Sequence, residues 1–237
     1  MPPSRSCFLL DFDGSLVDIA PTPEAVMVPP GLVETLTRLR DKCGGALAVV
    51  TGRPIAQIDH FLPGIPWAVA GEHGIALRRS PEAVVERAEL PAVPQDWLDQ
   101  ADALAAKWPG VVIERKHTGM VLHFRGCPDA GEALKAAADR WVGESTGFHV
   151  QGAKMAWEIR PAGIDKGHAV EMLLEQAPFA GRMPIFVGDD VTDLDGVRVT
   201  KAHGGLGLMI PDDFPTSQNY RDWLTALAAG EGDTWGV

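Results

Sequence analysis

Two apolar runs that end in clustered carboxylates constrain this 237-residue chain more than anything else in it. Cys7-Phe8-Leu9-Leu10 leads into Asp11-Phe12-Asp13-Gly14-Ser15-Leu16, and Ile185-Phe186-Val187 leads into Gly188-Asp189-Asp190-Val191-Thr192-Asp193. Short continuous apolar runs bounded by turn residues read as buried strands. Open α/β sheets hold their ligands at the carboxyl ends of such strands. Two acidic strand ends so far apart in sequence imply one acidic cluster, and its mutual repulsion calls for a cation. The pairing points to metal-assisted phosphoryl chemistry.

The first third of the chain alternates strands with helices. The strand Cys7–Leu10 is followed by a helix pattern from Pro30 to Leu39, with Leu32, Val33, Leu36 and Leu39 at helical spacing. Ala46–Val50 is the next strand and ends in Thr51-Gly52-Arg53-Pro54, where Pro54 suits the first turn of a helix reaching about His60. Trp67–Ala70 is a third strand, closing in Gly71-Glu72-His73-Gly74. This alternation implies parallel pairing.

The middle of the chain changes rhythm, because strands there come in adjacent pairs. A helix over Gln95–Lys107 precedes Val111–Lys116, His117-Thr118-Gly119 reads as a turn, and Met120–Arg125 returns. A second helix over Pro128–Trp141 leads to Phe148–Val150 and Met155–Ile159. Strands with short connections pair antiparallel, so this is a separate α+β module. After Arg160-Pro161 the first rhythm resumes, with a helix from Lys166, strands at Ile185–Val187 and Gly205–Ile210, and a last helix over Ser217–Ala228. The expected architecture is therefore an α/β core with a parallel sheet, residues 1–79 and 159–237, interrupted by an α+β module at 80–158. A cleft between two such modules is the expected place for a small ligand.

Charge narrows the ligand. Lys and Arg number 21 against 32 Asp and Glu, a formal net charge of -11 with no basic tail or stripe. Nucleic acid is not expected as a partner. Cys7, Cys43 and Cys127 have no metal-ligand spacing, and their odd number argues against a disulfide framework. Met1–Arg5 opens no long apolar stretch, and no apolar segment approaches the roughly 18 residues of a membrane span. A cytoplasmic monomer without membrane attachment is expected.

Asp11 and Asp13 stand two apart, so in extended backbone their carboxylates face the same way. Turn caps ahead of Gly14 are the plainer explanation of that pair alone. Asp189, Asp190 and Asp193 outnumber what one helix start needs. Capping explains one of them, and Mg²⁺, which takes one or two carboxylates and keeps its waters, explains the rest. Thr51-Gly52-Arg53 offers a hydroxyl and backbone donors for phosphoryl oxygens, with Arg53 either at the substrate or a supporting charge. Lys166 sits where its helix begins, a position that favours anions; a phosphate or a carboxylate beside it removes the mismatch. There is no Gly-rich loop ending in Gly-Lys-Ser/Thr.

In this order, Asp11-Phe12-Asp13-Gly14-Ser15, Thr51, Lys166 and Gly188-Asp189-Asp190-Val191-Thr192-Asp193 resemble the haloacid dehalogenase superfamily of phosphotransferases over nearly the whole chain. The resemblance implies that Asp11 is a nucleophile forming an aspartyl-phosphate and Asp13 the general acid and base. Thr51 and Lys166 would hold the phosphoryl group. Mg²⁺ would be bound by Asp11, Asp189 and the backbone oxygen of Asp13, with Asp190 and Asp193 in or behind that shell. Ser15 stands where many members have threonine.

A closer likeness is to trehalose-6-phosphate phosphatases. It is carried by Leu10–Gly14 followed by Pro21 to Pro29, by Thr51-Gly52-Arg53-Pro54, Gly71-Glu72-His73-Gly74, Glu114-Arg115-Lys116, His123-Phe124-Arg125, Glu158-Ile159-Arg160-Pro161 and Lys166-Gly167, and by the second acidic strand end. That likeness implies a Rossmann-like core with an inserted cap, hydrolysis of trehalose 6-phosphate, and Arg53, Lys116, His123, Arg125 and Glu158 as sugar-phosphate contacts. On pattern alone, the polar groups of the inserted module are equally the solvated face of a half-covered sheet. Leu194 departs from the glutamate common after the last aspartate. Competing expectations are a phosphatase of sucrose phosphate or mannosyl-phosphoglycerate, and a phosphate-binding regulatory protein without turnover.

Overall fold

The computed structural model describes residues 2–20, 22, 25–116, 119–143, 145 and 147–230. Pro21 of the family-like segment and the turn residues His117 and Thr118 lie outside the described residues. In chain order the elements are β1 (Ser6–Leu10), α1 (Leu32–Lys42), β2 (Leu47–Val50), α2 (Ile55–Phe61), β3 (Ala68–Gly71), β4 (Ala76–Arg78) and β5 (Glu86–Arg87). Next come α3 (Gln95–Lys107), β6 (Val112–Arg115), β7 (Met120–His123), α4 (Gly131–Gly143), β8 (Phe148–Ala153) and β9 (Ala156–Pro161). The chain then continues through α5 (Lys166–Leu174), β10 (Met183–Gly188), α6 (Leu194–Ala202), β11 (Leu206–Met209) and α7 (Ser217–Ala229).

Two compact units result, Met1–Ala88 with Ile164–Val237, and Glu89–Gly163. They divide later in sequence than the expected 79/80 and 158/159 boundaries. The reason is pairing: β4 extends the core sheet through β3 and β5 follows it, while β9 stays in the small sheet as far as Pro161.

The first unit is built on a seven-stranded sheet in the order β11-β10-β1-β2-β3-β4-β5. The five strands from β11 to β3 are parallel, and the β4–β5 hairpin adds an antiparallel edge. Every residue of β1, β2 and β3 is buried, as strands covered on both faces must be. Their Phe, Leu and Val side chains each contribute about 1.5–3 kcal/mol of burial. The register sets Leu10 opposite Val187, so β1 and β10 end side by side. Nothing in Ala76-Leu77-Arg78 or the exposed Glu86-Arg87 pair shows the alternation that marks a hairpin, and the sequence reading lacks it.

The second unit is a four-stranded antiparallel sheet, β6-β7-β9-β8. One face carries Met120, Leu122, Ile159 and Phe148, which form a core with Trp97 of α3 and with Leu134 and Trp141 of α4. The Trp97 and Trp141 rings stack at 6.3 Å. Pairing puts Glu114, Val121, Glu158 and Gln151 in one cross-strand row, on the face opposite that core.

Candidate active site

The two acidic strand ends meet. The Asp11 amide donates to the Val187 carbonyl at 3.1 Å, carrying the β1–β10 pairing one residue past β1. Asp11, Asp189 and Asp193 each bring a carboxylate oxygen within 4.8 Å of the others. Gly14 permits this approach. Its φ of +76° belongs to the left-handed region, and a Cβ there would lie 1.9 Å from Asp189 Oδ2. Gly188 is bare for a related reason, since a Cβ would meet Asp193 Cγ at 2.2 Å.

Lys166, the first residue of α5, is buried and donates to Asp11 Oδ1 at 2.7 Å and to Asp193 Oδ1 at 2.6 Å. The cation that sat badly at a helix start is thus shared by two carboxylates, while Asp165 caps the helix by accepting from the His168 amide. Burying three charges costs several kcal/mol per ion, offset only when each is paired and hydrogen-bonded. Asp193 meets that condition, its Oδ2 also accepting from the amides of Asp189 and Asp190 at 3.2 and 3.0 Å. Asp190 accepts from the Val191 amide at 2.5 Å and completes a capping box with Asp193. Local capping therefore uses two of the three carboxylates, where one was expected. Asp189 forms no ion pair among the described residues, and with Asp11 it leaves an oxygen-only donor set of the kind that hard divalent cations take.

Asp13 is held by a different cation. Arg53, 9% exposed, grips its carboxylate with both edges of the guanidinium, Nε to Oδ2 at 2.6 Å and Nη2 to Oδ1 at 2.7 Å. Nη1 donates to Gln57 Oε1 at 2.8 Å, and the guanidinium lies over the Phe12 and Phe61 rings. Arg53 thus supports Asp13 while it lines the same cavity. Thr51, at the end of β2, is buried, and its Oγ1 accepts from the Arg53 amide at 3.2 Å, leaving its hydroxyl proton to donate elsewhere. These groups line a cavity of about 570 Å³ with Asp11, Asp189, Lys166 and His73. A second cavity, about 430 Å³ beside α1 and α7, mixes Glu34, Arg38, Arg221 and Asp222 and holds no cluster of metal ligands among the described residues.

Burial and mutual repulsion make these carboxylate charges costly. Burial pushes the Asp11 pKa well above the carboxylate range; Lys166 opposes the rise, and Asp193 and Asp189 add to it. Asp189 is pushed up to about 6 by burial and by repulsion from Asp193 and Asp190. Burial works against the Lys166 charge, yet Asp11 and Asp193 outweigh it and hold its pKa above the usual lysine value.

In the second unit, three of the four expected sugar contacts are engaged with neighbours. Lys116 Nζ donates to Glu158 Oε1 at 2.7 Å, and His123 Nε2 is 2.8 Å from Glu114 Oε2. Arg160 donates to Gln151 at 2.8 Å. Glu114, Gln151, Glu158 and Arg160 lie on the sheet face away from the core, and Arg125 is exposed beyond the end of β7. The structure thus gathers Asp11, Asp13, Thr51, Arg53, Lys166 and the second acidic strand end in one unit. Lys116, His123, Arg125 and Glu158 stand in the other.

The parallel sheet with its acidic strand ends defines a haloacid dehalogenase-type hydrolase fold. A family model described as trehalose-phosphatase matches residues 9–225, and the chain belongs to that family. A "Trehalose-6-phosphate phosphatase" of Escherichia coli is 33% identical over 233 residues, 98% of this chain and 85% of that protein. A "Probable trehalose-phosphate phosphatase" of Sinorhizobium fredii is 41% identical over 211 residues, 88% of this chain and 79% of its own length. Among solved structures, Aspergillus fumigatus trehalose-6-phosphate phosphatase superposes with a TM-score of 0.75 at 21% identity, covering 96% of this chain and 93% of that one.

Proposed function

We propose that this protein hydrolyses trehalose 6-phosphate to trehalose and inorganic phosphate. The observation that carries the reading is Asp11: a buried carboxylate, held by Lys166 and adjoining Asp189, in a chain whose family match spans that whole cluster. A carboxylate becomes a useful nucleophile toward a phosphate dianion only when cations offset the repulsion. Lys166 supplies one such charge. Asp11, Asp189 and the backbone oxygen of Asp13 would hold Mg²⁺, which when bound neutralises charge between the carboxylates and the phosphate.

In the first step an Asp11 oxygen bonds to phosphorus, the bond from phosphorus to the sugar oxygen breaks, and Asp13 gives its proton to the departing oxygen. In the second, Asp13 takes a proton from water, the water oxygen bonds to phosphorus, and the bond to Asp11 breaks. Arg53 fixes the Asp13 carboxylate in place for both transfers. Thr51 donates its hydroxyl to a phosphoryl oxygen. Asp190 and Asp193 brace the loop that presents Asp189.

The sugar is bound by Lys116, His123, Arg125 and Glu158, whose carboxylate, imidazole and cationic groups suit many hydroxyls. The unit Glu89–Gly163 acts as the cap module of this enzyme, and the protein works in the cytoplasm as a monomer. Phosphate release from trehalose 6-phosphate, sucrose phosphate and mannosyl-phosphoglycerate, with Mg²⁺ and with EDTA, tests the reading. Mg²⁺-dependent release from trehalose 6-phosphate, at least tenfold above the others, is expected. Preference for another ester would replace the substrate, and no release from any would leave a phosphate-binding protein.

A further inference from the structure

We propose that His73 is a phosphate-binding residue of this site, its imidazole giving a hydrogen bond to an oxygen of the substrate's phosphoryl group and then of the released phosphate. The proposal rests on the phosphatase reading above. His73 follows β3 at the sheet edge that carries Asp11 and Thr51, and it lines the same cavity.

Three observations converge. The first is contact: the His73 amide donates to the Thr51 carbonyl at 3.0 Å. A Cβ on Gly52 would meet His73 Nε2 at 2.7 Å and Cε1 at 2.8 Å, so the imidazole lies against the Thr51-Gly52 segment and fills the space a side chain there would take.

The second is backbone. Glu72 and His73 have φ of 54° and 57°, a left-handed conformation that residues with a Cβ rarely adopt, and Gly74 follows at 100°. The turn is pinned on both sides. The Glu72 amide donates to the Arg53 carbonyl at 3.0 Å, and the Glu72 carboxylate is gripped by Arg87 at 2.8 and 3.1 Å. Strain that surrounding contacts hold in place gathers at functional sites.

The third is charge. Asp11, Asp13, Asp189, Asp190 and Asp193 all border the cavity, while its two cationic side chains are engaged, Lys166 with Asp11 and Asp193, Arg53 with Asp13. A phosphate dianion entering this acidic space needs donors in addition to the Thr51 hydroxyl. On this proposal the imidazole, beside Gly52 on the cavity lining, supplies one.

The test uses the full chain with Mg²⁺ and the variants His73→Asn and His73→Gly, both compatible with a left-handed backbone. Inorganic phosphate serves as the competitive probe. Both variants should keep or raise the melting midpoint and raise the inhibition constant of phosphate about tenfold, in keeping with one lost hydrogen bond to a charged group. kcat/KM should fall by a similar factor on trehalose 6-phosphate and on 4-nitrophenyl phosphate, because the phosphoryl group is common to both. An unchanged phosphate constant would overturn the proposal, as would a loss confined to trehalose 6-phosphate, which would make His73 a sugar contact, or a fall in midpoint that accounts for the lost activity. Wild-type protein inactive on every ester would instead refute the phosphatase reading.

Discussion

Replacing Gly14 by alanine should separate folding from activity. The new Cβ would sit 1.9 Å from Asp189 Oδ2, while real Cβ atoms essentially never come under 3.0 Å. Something must therefore move by roughly an ångström, a misplacement on the order of a 100-fold loss when it falls on reacting groups. The Asp189 carboxylate is the mobile partner, because Gly14 is tied to Asp11 through three peptide bonds and Asp11 is locked by Lys166. A left-handed alanine adds about 1–2 kcal/mol of backbone cost, about 2–8 °C in midpoint for a protein this size. Gly14→Ala should thus fold with a modestly lower midpoint, lose about 100-fold in kcat/KM on trehalose 6-phosphate and require much more Mg²⁺ for half-maximal rate. Circular dichroism melts and a Mg²⁺ titration of phosphate release would measure both. Activity within threefold of wild type at the same Mg²⁺ concentration would refute the claim that Asp189 must stand against a bare backbone.

Arg53→Ala leaves the Asp13 carboxylate ungripped, so turnover of trehalose 6-phosphate should fall by roughly 10²–10⁴-fold, the usual worth of a positioned acid. 4-Nitrophenyl phosphate, whose leaving group needs no proton, should lose far less; parallel assays with the two esters check this. Glu158→Ala should damage trehalose 6-phosphate turnover about tenfold or more while sparing the small ester, and equal loss on both would make Glu158 scaffold. For Asp189, the folded pKa of about 6 lies above the ordinary 3.8. In metal-free protein its contribution to stability is therefore full below about pH 4 and lost as pH rises through 6. Asp189→Asn should raise the midpoint in EDTA at pH 7.5 and abolish the further rise that Mg²⁺ gives wild type. Mg²⁺ affinity should weaken as pH falls through 6, where protons compete for the same oxygens, as calorimetry at pH 5.5 and 7.5 would record.

The α/β core was readable because its strands are continuous apolar runs, and Gln95–Lys107 was readable as a helix from its spacing and the preceding proline. Asp11, Lys166 and Asp189 stood out because charge at a strand end or a helix start is costly without a partner. The partners themselves were not legible. Asp13 and Arg53 are forty residues apart and joined by a guanidinium fork that depends on the β1–β2 pairing. The division of labour among Asp189, Asp190 and Asp193 depends on which amides the turn exposes, and no spacing rule reports that. His73 was legible only as part of the Gly71-Glu72-His73-Gly74 segment that carries the family likeness, with no role of its own. Its place emerges when the backbone shows two consecutive left-handed residues and the His73 ring against Gly52. The polar face of the small sheet was visible in sequence, but its pairing of Lys116 with Glu158 and His123 with Glu114 required the strand register.

The central claim, that Asp11 attacks phosphorus from a cluster completed by Lys166 and a divalent cation, is tested most directly by trapping the phosphorylated side chain. Enzyme mixed with trehalose 6-phosphate and Mg²⁺, quenched in acid, reduced with borohydride and digested should yield homoserine at position 11 by mass spectrometry. None should form in EDTA or in Asp11→Asn. Reduction at another carboxylate, or turnover at full rate in Asp11→Asn, would contradict the account.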